Sequence, residues 1–569
     1  MMPAPFRDFA ATADAIAALS GRNDKADRLG AYLDTLDDGD LGRAARWIAA
    51  RPFPLSDQRT VNVGYAALLG AVAAVAGTTR DDLQPRLVAL GDPGDVAEEA
   101  FAEHAPATPR LTLDDVDAFL DDLAQTRGTK KKAAAVEGIL RRADAVEAKV
   151  LVKLLAGELR IGLKEGGVES ALARRYGHPV GAVQRANMLT GDLGETALLA
   201  RHDRLGDAAM RLFHPLGFML ATAAETNEDV ARHLPGRFAI EDKFDGIRAQ
   251  AHIAPDPGDE SLHGVTDGAA RVALFSRTLD AITASFPDLV PPLAALAEAA
   301  PGGVILDGEI VPVEGARVRP FQALQKRLGR KKVSDEILAE VPVAYVVYDA
   351  LFSDGDVLLD LPYHERQRRL DQLSFSDDGP LRRSHVQVFD AGAPGFSDAL
   401  DAAFEAARDR GNEGLMAKAR DSVYKPGRRG RDWLKVKRAL ATLDCVVTSV
   451  EVGSGRRNKL LSDFTFAVRA SDDDDTLLNV GKAYSGLTDA ELAALTEWFR
   501  EHTLQTFAHG RVRIVEPEVV VEIAFDRVQV SKRHKSGYAL RFPRIVRLRD
   551  DKPVGEIDTL DAVRALADA

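Results

Sequence analysis

From Phe6 to about Leu199 apolar residues recur at spacings of three and four, β-branched runs are scarce, and Gly or Pro punctuates the breaks. That pattern predicts an all-α region. Its longest apolar run, Val63 to Gly77, is short and rich in Ala and Gly. It predicts a buried helix, because a bilayer span needs roughly 18 or more apolar residues. After about Arg201 the period changes: Phe238 to Ile240, Arg248 to Ile253, Val272 to Ser276, Val304 to Val313 and Val343 to Asp349 read as strands. Helical stretches at Leu289 to Ala300 and Phe396 to Arg410 lie between them, so an α+β domain ending near Lys437 is expected. Beyond it, Asp444 to Val452, Phe464 to Ala470, Leu477 to Ala483, Val519 to Phe525 and Ile545 to Arg549 read as short strands with one helix, Asp489 to Thr503. This predicts a small β-barrel of the kind used on oligonucleotides.

Length supports several domains, since single cores stop growing near roughly 250 to 300 residues and the chain has 569. Apolar content of 46% with 28% charged residues is ordinary for globular protein. Cys445 is the only cysteine, which excludes an intramolecular disulfide and any zinc site built on several thiolates. A reducing cytoplasm fits, and Met1 to Arg22 lacks the basic-then-apolar layout of a signal peptide. The net charge of −13 argues on its own against a polyanionic partner, but local potential matters more than the sum. Bases cluster in Thr129 to Lys132, Lys326 to Lys332, Lys425 to Arg438, Arg456 to Lys459, Lys532 to Lys535 and Arg541 to Arg549. Each cluster taken singly also reads as a solvated face.

The sharpest chemical feature is Glu241-Asp242-Lys243-Phe244-Asp245-Gly246-Ile247-Arg248, directly after an apolar strand. A lysine at a strand end can be desolvated and surrounded by cations, which lowers its pKa and exposes a nucleophilic amine. From a reference near 10.4, the neutral amine at pH 7 costs at most roughly 4 to 5 kcal/mol. Gly246 would allow close backbone approach to a ligand, and Arg248 would hold phosphate or ribose oxygens. Alone, the string also suits a surface turn. Its context is ordered: Phe275-Ser276-Arg277, Leu306-Asp307-Gly308-Glu309, Glu413-Gly414-Leu415-Met416-Ala417-Lys418 and Trp433-Leu434-Lys435-Val436-Lys437. Two carboxylates from separate strands can hold hydrated Mg²⁺, and two lysines on one strand face can grip a phosphate.

This set resembles the ATP-dependent DNA ligases of the covalent nucleotidyltransferase superfamily, in the three-domain type of archaea, eukaryotes and some bacteria. His214-Pro215-Leu216-Gly217-Phe218-Met219-Leu220-Ala221 resembles the opening of the family's adenylation domain. Lys535 to Arg544, with Arg549-Asp550-Asp551-Lys552, resembles its C-terminal motif, and Leu155 to Leu163 resembles its helical DNA-binding domain. The resemblance implies three parts: an all-α DNA-binding domain over 1–205, an α+β, ATP-grasp-like adenylation domain over 206–438 and an OB-fold barrel over 439–569. It implies that Lys243 is adenylated, and that Glu241, Arg248, Arg277, Glu309, Tyr348, Arg429, Lys435 and Lys437 bind ATP, with Tyr348 stacking on adenine. Asp245, Glu309 and Glu413 would serve Mg²⁺ or Mn²⁺, and Arg541, Arg544 and Lys552 would orient pyrophosphate. The barrel would close over ATP and later turn another face to DNA.

The implied reaction seals 5′-phosphate/3′-hydroxyl nicks in duplex DNA, in replication, repair or recombination. The implied partner is nicked double-stranded DNA encircled by a monomer, with no membrane. Arg456, Arg457, Lys459, Lys532, Arg533 and Lys535 are candidate phosphate contacts. Recruitment by a sliding clamp or repair protein stays open, and in a bacterium the enzyme would be nucleoid-associated in the cytoplasm. An RNA-joining or capping enzyme would share Lys243 but has no clear use for the long helical region. An NAD-dependent ligase is disfavoured, since its four-cysteine module cannot be built from Cys445 alone. A noncatalytic scaffold would predict decayed site positions.

Overall fold

The computed structural model describes residues 4–55, 57–102, 111–315, 317–330, 332–436, 441–453 and 457–568. Two compact units emerge, one of Met1–Val75 with Ala97–Lys437 and one of Ala76–Val96 with Arg438–Ala569. The helical region and the α+β region thus share a unit, apart from a segment that packs with the C-terminal strands.

The described residues between Phe6 and Arg201 form a succession of α-helices that no strand interrupts. Boundaries follow local chemistry: capping boxes start the helices at Leu113 and Ala145, where Thr112 with Asp115 and Asp144 with Glu147 satisfy first-turn N–H groups. The apolar run expected as a buried helix is Tyr65–Ala76, which buries Leu68, Leu69 and Val72. Helix Arg22–Leu33 lies against helix Glu165–Tyr176 at Gly30, where an added Cβ would stand 3.3 Å from the Ala171 carbonyl oxygen.

The α+β region holds β1 (Leu220–Ala224), β2 (Arg237–Lys243), β3 (Ile247–Pro255), β4 (Val265–Asp267), β5 (Ala270–Ser276), β6 (Val304–Glu314), β7 (Arg317–Val318), β8 (Val343–Ser353), β9 (Asp356–Val357), β10 (Leu381–Arg383), β11 (Gln387–Asp390), β12 (Gly414–Ala419) and β13 (Arg429–Val436). They form two sheets, ordered β1-β13-β12-β2-β11 and β10-β8-β6-β3-β5-β4, with β7 on β6 and β9 on β8. The chain crosses from one sheet to the other between β2 and β3, at Phe244, Asp245 and Gly246. The helix expected over Leu289 to Ala300 is broken into a 3₁₀ turn, the short helix Val290–Ala294 and another 3₁₀ turn. Pro291 and Pro292 lack the N–H groups a continuous helix requires.

In the second unit, β14 (Ala441–Val452) pairs with β19 (Val520–Phe525) along its first half and with β18 (Val512–Val515) along its second. Its other edge carries β15 (Leu461–Ser471), which continues to β16 (Asp474–Ala483), while β17 (Thr503–Phe507) flanks β18 and the strand Arg544–Leu548 flanks β19. One long strand serving two partners on the same edge curls the sheet into the OB-fold barrel. Val447, Phe464, Phe466, Val480, Phe499 and Ile523 fill its centre, together with the lone Cys445. No helix of the described residues is long and apolar enough to cross a membrane.

Candidate active site

Lys243 ends β2, and its register partner on β12 is Gly414. The Glu413 backbone N–H donates to the Lys243 carbonyl at 2.8 Å, which brings the Glu413 side chain beside the lysine. Lys243 Nζ lies 2.6 Å from Glu413 Oε2, with both side chains partly accessible. The charged group closest to the amine is thus the Glu413 carboxylate, with Lys435 in the neighbouring row. In sheet geometry paired residues share a face. Glu241, Met416 and Lys435 form one such row across β2, β12 and β13, adjacent to Lys243. Met416 and Lys435 are half-buried, whereas Lys437 lies outside the described residues.

The second sheet supplies the opposing wall. Arg248 on β3 pairs with Glu309 on β6, which pairs with Val346 on β8, two residues before Tyr348. Gly246 makes this approach possible: a Cβ there would stand 2.3 Å from the Ile310 carbonyl oxygen and 2.9 Å from Glu309 Cγ. The missing Cβ thus lets the lysine turn pack against β6. Glu309 keeps some accessible surface, yet burial pushes its carboxyl up to about 8 against the pull of Lys243 and Arg248, with Glu413 and Asp307 adding like charge.

Arg248 is engaged within the fold. Its guanidinium donates to both Asp307 oxygens, at 3.1 and 2.7 Å, and to the Met219 carbonyl at 2.7 Å. The Asp307 side chain is fully buried and also accepts from the Tyr424 hydroxyl at 2.6 Å. The rings of Phe218 and Tyr348 flank the same guanidinium, at 4.8 and 5.7 Å from their centroids. Of the two tyrosines in the segment ending at Asp349, Tyr345 is wholly buried and donates to two carbonyls, while Tyr348 is partly accessible.

Two further expected site residues, Arg277 and Arg429, are solvent-exposed. Arg277 is exposed on the turn closed by Ser276 and Asp280, where Leu279 has a φ of 70°. Gln58 of the helical region clasps that turn, donating to the Leu279 carbonyl at 2.9 Å and accepting from the Ala281 N–H at 2.6 Å. Arg429 is exposed at the start of β13. Asp245, Glu309 and Glu413 do not form one metal cage: among the described residues no three His, Cys, Asp or Glu side chains are arranged to hold a metal, and Asp245 is only 4% exposed. The two glutamates remain as an acidic pair facing Lys243.

Arg541, Arg544 and Lys552 belong to the second unit. Arg541 lies over the Phe542 ring at 5.0 Å, Arg544 is 3.8 Å from Asp526, and Lys552 Nζ donates to Asp444 Oδ2 at 2.7 Å. Of the candidate DNA-phosphate contacts, Arg457, Lys532, Arg533 and Lys535 are at least partly exposed, and Arg456 lies outside the described residues.

Sequence reasoning passed over Met416, Lys418, Tyr363 and Tyr424. Each sits in or after a motif, but nothing local in the sequence signals which face of the sheet it joins. His252 and Gln250 on β3 were also missed. His252 Nδ1 accepts from the Phe213 N–H at 2.9 Å, and Gln250 Oε1 accepts from the Leu216 N–H at 2.9 Å, so both fasten the chain entering β1.

Family models described as "DNA ligase N terminus", "ATP dependent DNA ligase domain" and "ATP dependent DNA ligase C terminal region" match residues 5–173, 218–437 and 457–552. A probable DNA ligase of Koribacter versatilis is 45% identical, covering 97% of this chain and 95% of its own. A DNA ligase of Archaeoglobus fulgidus is 33% identical over 99% of this chain and 98% of its own. The solved structure "Pmar-Lig_Pre." shares the fold with a TM-score of 0.59 at 17% identity, over 95% of this chain and 99% of that one.

Proposed function

The chain belongs to the ATP-dependent DNA ligase family, and from that premise we propose that Lys243 carries the AMP. Its amine attacks the α-phosphorus of ATP, a P–N bond forms, the bond to the β-phosphate oxygen breaks, pyrophosphate leaves and the nitrogen loses a proton. An oxygen of a DNA 5′-phosphate then takes the AMP and returns the lysine to its free form. The 3′-hydroxyl finally attacks that phosphate, AMP leaves and the hydroxyl proton is lost.

The observation that carries this reading is the amine itself: Lys243 ends a strand beside Glu413, next to a row holding Glu241 and Lys435, and faces Glu309. Lys435, with Lys437, grips the α-phosphate. Tyr348 and Met416, on facing walls, close over adenine, and Arg277 and Arg429 meet ribose and phosphate. Arg248 positions the Tyr348 side of the pocket as well as any phosphate. Glu309 and Glu413 suit a divalent cation, Mg²⁺ or Mn²⁺, because two acidic groups crowd there and burial disfavours Glu309's charge. Such a cation supplies neutralisation of the triphosphate's charge. Arg541, Arg544 and Lys552 orient the pyrophosphate. The DNA is a nicked duplex, which a single copy of the chain encircles.

Incubation with ATP labelled at the α-phosphate tests the assignment. The wild type should acquire label and Lys243→Ala should not; a labelled Lys243→Ala protein overturns it. Sealing of nicked DNA in preference to nicked RNA tests the substrate.

A further inference from the structure

Lys418 follows Met416 by two residues on β12, so it extends the same face one row deeper. Its ammonium lies 2.7 Å from Glu241 Oε1, and both side chains are 2% exposed. Three rings enclose it, with centroids at 4.4 Å for Trp433, 4.7 Å for Tyr348 and 5.0 Å for Tyr363. The Tyr363 hydroxyl donates to the same Glu241 oxygen. Burying an ion pair of this kind brings little stability over an apolar replacement of equal volume, because desolvation offsets the attraction. An aromatic cage adds attraction for the cation and fixes where it sits.

What the arrangement does accomplish is to fix a carboxylate. Lys418 and Tyr363 both engage Oε1, which sets the rotation of the Glu241 carboxylate in the row that also holds Met416. Tyr348, a wall of the proposed adenine slot, is also a wall of the Lys418 cage. A charged carboxylate only accepts hydrogen bonds, so a base meeting it must present an amine. A base with a carbonyl at that edge would leave two acceptors face to face in a dry site, which is heavily disfavoured.

We propose that Lys418 is a positioning residue for base selectivity: by fixing the Glu241 carboxylate in place, it makes the pocket require a nucleobase with an exocyclic amine, as in adenine. This rests on the reading of Lys243 as the adenylated residue.

The test measures lysine adenylation with ATP and with purine riboside 5′-triphosphate, which lacks the amine. Lys418→Met should raise the KM for ATP roughly tenfold or more, the scale of a lost hydrogen bond to a charged group. Its KM for purine riboside triphosphate should change by less than about twofold, with kcat little altered for either. An equal rise for both nucleotides marks a merely structural lysine and overturns the proposal. Removing one member of a buried pair strands the other, so Lys418→Met can fail to fold. The double variant Glu241→Gln/Lys418→Met, which removes both charges of the pair and strands neither, is therefore measured beside it. The proposal expects in it the same selective rise in KM for ATP, and a further loss beyond that of Lys418→Met overturns it. If label persists in Lys243→Ala, the underlying reading fails, a result separate from either outcome above.

Discussion

Lys243 Nζ stands 2.6 Å from Glu413 Oε2, across the pair formed by β2 and β12. Before any nucleotide arrives, the amine is therefore oriented by a carboxylate that belongs to a different motif, some 170 positions along the chain. An amine held this way is poised in direction but must exchange the carboxylate for a phosphate before it can react. The partner is as much part of the proposed chemistry as the nucleophile.

Glu413→Gln removes the charge while keeping the shape. Formation of the AMP adduct, followed by gel with labelled ATP, should slow on the order of a hundredfold, the usual scale for one preorganised electrostatic group. The unfolding midpoint should fall modestly, because at 22% and 16% exposure the two side chains are mostly buried and Gln leaves the lysine charge without its partner. An unchanged adduct rate would remove Glu413 from the chemistry.

The Arg248–Asp307 pair predicts the opposite pattern. Asp307 is wholly buried and its partners are the guanidinium and the Tyr424 hydroxyl. Arg248→Ala strands that carboxylate, so urea unfolding should register a loss of about 3 to 5 kcal/mol. Tyr424→Phe, which removes one hydrogen bond, should cost about 1 to 2 kcal/mol. If Arg248→Ala leaves stability intact and only raises the KM for ATP, the residue is a ligand contact and its internal pairing is incidental.

The contrast between these two residues shows what a sequence reveals. Period and turn residues exposed the helical region, the strands and the final barrel, because each depends on local pattern. Motif order singled out Lys243, Glu309, Glu413 and Lys435, which lie at the end of β2, within β6, just before β12 and on β13 respectively, in neighbouring parts of the two sheets. The partner of a charged side chain was not legible. Arg248 reads equally as an ATP contact or an internal clamp until Asp307 and Met219 are seen beside it. The same holds for Lys418, whose burial depends on three rings from three separate segments. The broken helix at Leu289 to Ala300 was a different failure, in which apolar content outweighed two consecutive prolines.

His252 gives a pH prediction. Burial, with His214 nearby adding to it, pushes its pKa down to about 3 from an ordinary 6.5. The unfolded chain then binds the proton that the folded chain refuses, so stability rises with pH between these values and is lost as pH falls below about 6.5. From pH 7.5 to pH 5 this one group should remove about 2 kcal/mol, at 1.36 kcal/mol per unit. Urea titrations at the two pH values measure it, and His252→Gln should flatten the slope by about one proton. A slope that survives the substitution assigns the acid sensitivity elsewhere.

Asp444 sits at the start of β14, with its side chain mostly buried, and holds two cations of the C-terminal motif at once. Arg549 Nη1 reaches its oxygens at 2.8 and 2.7 Å, and Lys552 Nζ donates at 2.7 Å. If Lys552 orients pyrophosphate, as proposed, Asp444 sets where that lysine points, and neutralising it affects only the step in which pyrophosphate leaves. Asp444→Asn should therefore slow adduct formation from ATP by tenfold or more, given that hydrogen bonds to charged groups contribute roughly 1.5 to 3 kcal/mol. Sealing of a nick that already carries AMP on its 5′-phosphate should proceed within about twofold of the wild-type rate, because no pyrophosphate is involved. Equal slowing of both reactions would mean that Asp444 supports the barrel as a whole, and that its grip on Lys552 has no specific consequence for catalysis.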